Sequence, residues 1–456
     1  MRKQNKKDSS KIPLLVLLLF FFISSLCLAF LLNKTSKELK LLTSDLAQKS
    51  KLAASLEANL ENCGSDLSTC KARFKRKVDI RKTDSGGYAL FVKDKPFIMK
   101  GIGYSPTPIG KGYDHDFFAD PNEPWKVDGK LMQEAGINCV RIYSAGKDLV
   151  QVAQFIRDMY ENYGIYTIVS DWLGLWDYPR ANYADKTFQE ETKKRVLKIV
   201  SALKNEKGLL MWILGNENNY TFSGRIGFWT SPEIEALGSL REKQEMRAKI
   251  YYSFVDEVAR EIKKIDKVHP VALGNGEEQF LNVASRVASN VDLLAIIVYR
   301  GKTFGNIFNA VKRSFDKPIV LSEFGSDSYN AYKNEPAQEE QSEFLLSQWN
   351  EIYENNTFSG NLSGNVLGGF AFEWNDEWWK HNEGYTSDWS VHNTEAGWSQ
   401  GSYFFDNRAK NTLNMNEEWF GIVSLSEEIA DGINKRIPKK SYFTLKELFL
   451  NLRIKP

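Results

Sequence analysis

Two glutamates stand just beyond apolar runs that have the character of buried strands. Glu217 follows the run Leu209–Leu214, and Glu323 follows the run Pro318–Leu321. Two carboxyl groups at the ends of two parallel strands can converge on one bond. One can stay protonated as an acid while the other stays charged as a nucleophile. Such a pair of carboxyl groups is the minimum set of catalytic groups that can cleave a glycosidic bond.

Eight apolar runs follow one another along the chain, and helical patterns separate most of them. The predicted strands are Phe97–Tyr104, Ile137–Tyr143, Ile165–Asp171, Leu209–Gly215, Pro270–Gly274, Leu293–Tyr299, Pro318–Glu323 and Leu367–Trp374. The clearest predicted helices are Leu149–Tyr163, Phe188–Asn205, Arg241–Ile265 and Gln338–Glu354. A short hairpin, Tyr88 to Met99, precedes them. Eight alternations predict an α/β fold, a closed (β/α)8 TIM barrel over residues 79–456.

Composition narrows the class of function. The net charge is only +2, so no general basic surface suits nucleic acid. Aromatic residues are plentiful, with 12 Trp, 19 Tyr and 28 Phe, and many of the Trp fall in predicted loops. Rigid aromatic faces suit stacking on sugar rings, although about half of the Trp are expected in the core. Only four His occur, without metal-ligand spacing, so no metal site and no cofactor are expected.

Four motifs carry a resemblance to the clan A retaining glycoside hydrolases, over roughly Tyr88 to Phe449. They are Phe97-Ile-Met-Lys-Gly-Ile-Gly-Tyr-Ser, Gly136-Ile-Asn-Cys-Val-Arg-Ile-Tyr, Gly215-Asn-Glu and Ser322-Glu-Phe-Gly. The first half, with Tyr163-Gly-Ile-Tyr, most resembles cell-wall β-1,3-glucanosyltransferases, and family 2 barrel domains are also similar. The stretch Phe370–Lys380 departs from the glucanosyltransferases' usual eighth strand.

This resemblance implies a role for each matching residue. Glu217, after the fourth strand, would be the acid/base with a raised pKa, and Glu323, after the seventh, the nucleophile with a low pKa. Beside Glu323, the resemblance implies Arg141 as a cation and Tyr299 as a hydrogen-bond partner. Asn216 would contact the sugar 2-hydroxyl, and Trp374 would form the floor of the reactive-sugar subsite. Asp171 and Trp172, after the third strand, are also expected at a sugar subsite.

Each of these residues also has a structural interpretation. An Asn-Glu or Ser-Glu after an apolar run is commonly a helix start or cap, and Arg141 would then be a buried ion-pair partner. Strand order four and seven in a counted barrel favours the catalytic interpretation. Loop candidates for outer subsites or lid packing are Trp176, Tyr178, Trp229, Glu373, Asp376, Glu377, Trp378, Trp379 and Trp389.

The amino-terminal part predicts a membrane anchor. Residues 1–11 form a basic tail, and residues 12–32 are 21 residues without a charge, long enough to cross a bilayer as a helix. The basic tail predicts a cytoplasmic amino terminus with the rest of the chain outside, periplasmic or extracellular. The rival interpretation is a cleaved signal peptide.

Residues 33–78 predict a helical coiled-coil stalk. Apolar residues recur there at three-four spacing over five heptads, and both Cys63 and Cys70 lie on the seam. A parallel homodimer could therefore cross-link through these thiols, whereas a single amphipathic helix with inert thiols is the alternative.

Together these patterns predict a single-pass membrane-anchored retaining β-glycosidase or transglycosylase acting on an extracytoplasmic β-glucan-like polysaccharide. The alternative is a non-catalytic carbohydrate-binding or scaffold protein on a degenerate barrel. Both of these hypotheses name an oligo- or polysaccharide as the partner, and neither involves nucleic acid.

Overall fold

The computed structural model describes residues 78–331, 333–380, 385–394 and 416–455. They begin with a small antiparallel sheet of β1 (Val78–Lys82), β2 (Tyr88–Val92) and β3 (Lys95–Pro96). Lys93 and Asp94 connect β2 to β3 with positive φ angles of 52° and 63°, as a tight hairpin turn requires. The hairpin predicted from Tyr88 to Met99 is confirmed, and β1 extends it by one strand.

Eight parallel strands then close into a barrel, which confirms the predicted fold. They are β4 (Met99–Gly103), β5 (Cys139–Ile142), β6 (Tyr166–Asp171), β7 (Leu209–Leu214), β8 (Val271–Gly276), β9 (Leu293–Ile297), β10 (Ile319–Phe324) and β13 (Val366–Ala371). The short pair β11 (Tyr329–Asn330) and β12 (Glu335–Pro336) follows β10. Each predicted strand overlaps one observed barrel strand, and β13 closes the barrel between β10 and β4.

Helices connect most of the barrel strands. They are α1 (Trp125–Glu134), α2 (Leu149–Tyr163), α3 (Lys186–Leu203), α4 (Pro232–Glu235), α5 (Leu240–Ile265), α6 (Leu281–Val287), α7 (Ile307–Ser314), α8 (Gln338–Glu354) and α9 (Lys440–Asn451). The four predicted helices are confirmed. Side-chain caps set two of their starts: Asp185 accepts from Thr187 N ahead of α3, and Ser239 forms a capping box with Glu242 ahead of α5.

Two apolar layers hold the barrel. The inner layer joins barrel-lining side chains such as Met211 and Val320 to Val78 and Leu90 of the amino-terminal sheet. That sheet therefore packs against the barrel interior, and the inner layer is solid rather than a pore. The outer layer lies between strands and helices, where residues such as Ile156 and Val258 are fully buried.

The carboxyl-terminal part adds a hairpin, β14 (Val423–Ala430) and β15 (Ile433–Pro438), ahead of α9. Asn375, just beyond β13, forms a bridge with Val423. The buried Lys439 ammonium lies 2.5 Å from Asp376 Oδ1 and donates to Ser328 Oγ at 2.7 Å. The short 3-10 helix Glu417–Trp419 lies against the residues that follow the eighth strand, since Glu377 N donates to the Glu418 carbonyl and Glu373 N to the Phe420 carbonyl, both at 3.2 Å.

The predicted basic tail, membrane span and all of the stalk except Val78 lie outside the described residues, as do Cys63 and Cys70. Across the residues that the structure does describe, no helix is both long enough and apolar enough to span a bilayer. Cys139, in β5, is buried with a free thiol.

Candidate active site

The two glutamates lie at the same end of the barrel. Glu323 is the fifth residue of β10, and Glu217 is the third residue beyond β7. Because the strands are parallel, both positions face the carboxyl-terminal mouth. Glu323 is 8% exposed, whereas Glu217 is partly exposed. The placement expected from strand counting is therefore observed.

Arg141 connects the strands around this mouth. It belongs to β5, is fully buried, and donates from Nη1 to Glu323 Oε1 at 2.8 Å and to the Ser322 carbonyl at 3.1 Å. Its Nη2 donates to Asn216 Oδ1 at 2.6 Å, and its Nε to Ser170 Oγ at 3.1 Å. A planar guanidinium with fixed donors is suited to this branched contact, so one residue positions groups from strands three, four and seven.

Burial and the neighbouring polar groups have opposing effects on the pKa of Glu323. Burial raises the pKa of its carboxyl group, and the positive charges of Arg141 and Lys380 and the hydroxyl of Tyr299 offset that rise in part. Tyr299 donates to Glu323 Oε2 at 3.2 Å. The low pKa expected for this residue is therefore corrected, because removal from water outweighs the pairing. The expected contact with Tyr299 is observed, and burial raises the pKa of Tyr299, which keeps its hydroxyl a donor.

A rigid turn presents Glu217. Gly215 adopts φ +86°, and a Cβ there would collide with the Tyr251 hydroxyl, so the position requires glycine. Asn218 holds the turn, accepting from Asn216 N at 2.7 Å and donating to the Trp172 carbonyl at 2.9 Å. The acidic side chain is thus aimed by backbone geometry rather than by a partner of its own.

The environment of Glu217 suits an acid. Burial raises the pKa of its carboxyl group to about 8, with further rises from the negative charges of Glu323 and Glu417. Within the described part of the chain, no side chain hydrogen-bonds to this carboxyl group. A protonated carboxyl beside a paired carboxylate is the division of roles that an acid and a nucleophile need.

Asn216 keeps a donor available. Because its Oδ1 accepts from Arg141, its Nδ2 must point elsewhere, and that amide has no partner among the described residues. The arrangement agrees with a donor for a sugar hydroxyl, as expected from the sequence.

Trp374 does not lie where the sequence placed it, and this expectation is corrected. Its side chain is fully buried in the outer core, with its ring 6.3 Å from that of Tyr442. The eighth strand ends at Ala371, and the chain then turns to pair with Val423, which carries Trp374 into the interior. Phe372 borders the site instead: its ring lies 6.1 Å from those of Tyr143 and Phe420.

The two residues expected after the third strand have different surroundings. Asp171 forms an ion pair with Arg195 of α3 at 2.9 Å and caps the following turn, so its carboxylate is already engaged. Trp172 is partly exposed, and its ring lies 6.3 Å from that of Tyr143. Tyr143 lies under the Arg141 guanidinium at 4.5 Å, so Trp172 borders the site. Asp171 contacts Arg195 instead and therefore has a supporting role.

Sequence reasoning did not find Lys380 and Glu417. Lys380 Nζ lies 2.6 Å from Glu417 Oε2 and 2.9 Å from Glu377 Oε2, and 4.4 Å from the centre of the Phe372 ring. The Trp-Trp-Lys sequence just after the eighth strand could have indicated that Lys380 lies at the barrel mouth. No helix or strand pattern in the sequence indicates the position of Glu417. Of the loop candidates, Trp229 is 4% exposed and Asp376 is paired with Lys439, so both have structural surroundings.

Comparisons with known proteins bear on this geometry. The family model described as glycosyl hydrolases family 2, TIM barrel domain, matches residues 86–361. A probable 1,3-beta-glucanosyltransferase from Saccharomyces cerevisiae is 34% identical over 128 residues, which cover 26% of this chain and 23% of the relative. A 1,3-beta-glucanosyltransferase from Schizosaccharomyces pombe is 24% identical over 177 residues, which cover 38% and 32%. The chain therefore spans a third or less of these relatives' length.

Among solved structures, a beta-glucuronidase from Bacteroides uniformis is similar, with a TM-score of 0.51 and 14% identity. The similarity covers 82% of this chain and 37% of that protein. At this level of identity the likeness concerns the fold alone.

Proposed function

The chain belongs to the glycosyl hydrolase family 2 TIM-barrel domain family, and from this premise we propose that it is a retaining β-glycosidase or transglycosylase. We assign it a β-glucan-like polysaccharide as substrate, since the curated relatives are named 1,3-beta-glucanosyltransferases. The reaction is a double displacement in which Glu217 is the acid/base and Glu323 the nucleophile.

In the first displacement, a Glu323 carboxylate oxygen attacks the anomeric carbon while the bond from that carbon to the departing oxygen breaks. Glu217 gives its proton to that oxygen, which leaves as a sugar hydroxyl. A pKa of about 8 keeps Glu217 protonated at neutral pH, as this step requires. The product is a glycosyl ester of Glu323.

In the second displacement Glu217 acts as a base. The negative charge of Glu323 is one cause of the raised pKa of Glu217, and esterification removes that charge. The pKa of Glu217 therefore falls, and its carboxylate form becomes more populated. Glu217 then takes a proton from water or from an acceptor hydroxyl, whose oxygen attacks the anomeric carbon and releases Glu323. Water gives hydrolysis, and a sugar hydroxyl gives transfer.

One observation carries the proposal: Arg141 holds Glu323 and Asn216 together from a fully buried position. Among the described residues, the Asn216 amide and the Glu217 carboxyl have no partners at the barrel mouth, which a purely structural arginine would not require. Preorganised polar groups aimed at an open site are typical of catalytic centres.

The test uses the full-length chain and β-1,3-linked gluco-oligosaccharides. Glu323→Ala is compared with the parent, and Glu428→Gln, on an exposed surface pair with Lys435, is the matched control. The parent and the control should form the same products, and Glu323→Ala should form none. Products longer than the substrate indicate transfer, and shorter ones indicate hydrolysis. Identical product patterns from the parent and Glu323→Ala would favour a non-catalytic carbohydrate-binding scaffold.

We further propose that residues 12–32 anchor the chain in a membrane and that residues 33–78 form a dimeric stalk, with the barrel periplasmic or extracellular. Membrane fractionation and protease digestion of spheroplasts, in which only the cytoplasmic membrane is intact, test the location, and a barrel digested only after that membrane is broken would contradict it. Non-reducing electrophoresis of Cys63→Ser and Cys70→Ser tests the cross-link. Migration of the parent as a monomer would remove that idea.

A further inference from the structure

Three carboxyl groups border the active site on the side of the eighth strand, and we name Glu373, Glu377 and Glu417 the acidic wall. Glu373 and Glu377 follow β13 and are 1% and 3% exposed. Glu417 begins the 3-10 helix Glu417–Trp419. Sequence-distant residues therefore meet at one edge of the barrel mouth.

Lys380 is a buried cation in contact with the acidic wall, and it is already engaged. Lys380 Nζ contacts Glu377 at 2.9 Å and Glu417 at 2.6 Å, and its side chain is only 15% exposed. Burial lowers the pKa of Lys380, but the surrounding carboxylates outweigh burial and raise it, so the ammonium stays charged. Its charge is shared between two carboxylates rather than presented to a ligand.

The acidic wall adjoins the reactive pair. Lys380 Nζ lies over the Phe372 ring, whose centre is 6.1 Å from that of Tyr143. The Phe420 ring lies 5.8 Å from that of Tyr299, which donates a hydrogen bond to Glu323. Charges of this wall also act on both catalytic glutamates, because Glu417 raises the pKa of each. A sugar on Glu323 would therefore lie within its electrostatic reach.

The balance of charge around this pocket is negative in the described part of the chain. Five carboxyl groups, those of Glu217, Glu323 and the acidic wall, surround two buried cations, Arg141 and Lys380, and each cation is paired. Burial raises the pKa of Glu217, Glu323 and Glu373. Glu323 must be ionised to act as the nucleophile, so with Glu377 and Glu417 it gives three acidic groups against the two cations. Arg225 is exposed rather than buried, lies 4.5 Å above the Tyr220 ring, and acts electrostatically on Glu217.

Resting on the proposed function, we infer that the reactive-sugar pocket accepts neutral or amino-bearing hexopyranosyl units and rejects uronic acids. Among the described residues of this pocket, a carboxylate on the reactive sugar would meet like charges without an unpaired buried cation, whereas a neutral hydroxyl group would meet no such repulsion. The fold likeness to a beta-glucuronidase therefore does not extend to the charge of the sugar.

Matched aryl β-glycosides test this inference on the full-length chain. The 4-nitrophenyl β-glucoside, β-glucuronide and methyl ester of the β-glucuronide differ at one substituent. The glucoside and the ester should have kcat/KM values within about 10-fold of each other, and the free acid a value about 100-fold lower, as expected for a like charge in a partly buried site. A glucuronide cleaved as well as its ester overturns the inference.

Variants then tie the selectivity to the acidic wall. Glu417→Gln should raise the kcat/KM ratio of acid to ester about 10-fold, because it removes one negative charge and frees a partner of Lys380. Glu428→Gln, a surface change of the same type, should leave that ratio unchanged. An equal shift in both variants would assign the effect to net charge rather than to this wall and overturn the inference.

A binding measurement separates this inference from the proposed function. Calorimetry on Glu217→Gln compares a β-1,3-gluco-oligosaccharide with the same oligosaccharide carrying terminal glucuronic acid. Tighter binding of the neutral sugar without turnover by the parent would uphold the inference while the proposed function fails. Equal or tighter binding of the acid overturns the inference whatever the turnover. Binding of neither sugar overturns both.

Discussion

Arg141 and Glu323 form an ion pair, 2.8 Å from Nη1 to Oε1, in which the arginine side chain is fully buried. A buried pair of this kind adds little net stability, but removing one partner leaves an uncompensated charge in a low-dielectric site. The same guanidinium also holds Asn216, so its loss affects the acid/base turn as well as the nucleophile.

Replacement of Arg141 should therefore affect both stability and rate. Arg141→Met should lower the free energy of unfolding by about 3–5 kcal/mol, measured by urea denaturation. It should lower kcat about 100- to 1,000-fold, because a preorganised donor next to the reacting carboxylate is lost. Arg141→Lys keeps the charge but loses the branched donor geometry, so it should recover stability more than rate. Full activity in Arg141→Lys would show that charge alone is sufficient.

In the proposed double displacement, the pKa of Glu217 should set the alkaline limb of the pH–rate profile. Since the carboxyl group must carry a proton in the first displacement and burial raises its pKa to about 8, kcat/KM should fall above about pH 8. With an activated aryl glycoside, whose leaving group needs no proton, Glu217→Gln should show no such fall in the rate of glycosyl-enzyme formation. An alkaline limb retained in Glu217→Gln would assign it to another residue.

The same pKa affects stability, in a direction fixed by linkage. The folded state holds a proton on Glu217 between its ordinary pKa of 4.5 and about 8, where the unfolded chain does not. Stability from this group is therefore full below about pH 4.5 and is lost as pH rises through 8. Glu217→Gln cannot ionise, so at pH 8.5 it should be about 1–3 kcal/mol more stable than the parent, allowing for its partial exposure. The difference should vanish near pH 4.5, and a constant difference would refute the assignment.

Tyr299→Phe removes a hydroxyl that donates to Glu323. Because that bond offsets part of the rise in the pKa of Glu323, its removal should raise that pKa further. The acid limb of kcat/KM should then move up by about one pH unit, as loss of a hydrogen bond to a charged group implies. A lower kcat without a shift of the acid limb would mean that Tyr299 acts on the substrate instead.

The sequence predicted the barrel because the relevant signals are local. Apolar runs such as Leu209–Leu214 are short and uninterrupted, as strands buried on both faces require, and helical patterns such as Gln338–Glu354 separate them. Once the strands are ordered, the parallel barrel places Glu217 and Glu323 at the same end. The main part of the candidate site follows from counting.

What the sequence could not predict depends on contacts between distant segments. Glu417 reaches Lys380 across 37 positions, and no periodicity links them. The low pKa expected for Glu323 weighed the charge of Arg141 without the desolvation that accompanies full enclosure. Trp374 was expected at the end of an eighth strand that ran from Leu367 to Trp374, but the strand ends at Ala371, so side-chain alternation gives no direction for the residues beyond it.

The two tryptophans predicted for the sugar site provide the last prediction, since the structure separates them. Trp172 is partly exposed beside Tyr143, whereas Trp374 is fully buried against Tyr442. Trp172→Ala should raise KM for gluco-oligosaccharides about 10-fold, near 1.4 kcal/mol of lost stacking, with a small change in stability. Trp374→Phe should lower the free energy of unfolding by about 1–3 kcal/mol and leave KM unchanged. Thermal unfolding and steady-state kinetics on both variants decide it, and a raised KM in Trp374→Phe alone would restore Trp374 as the floor of the subsite.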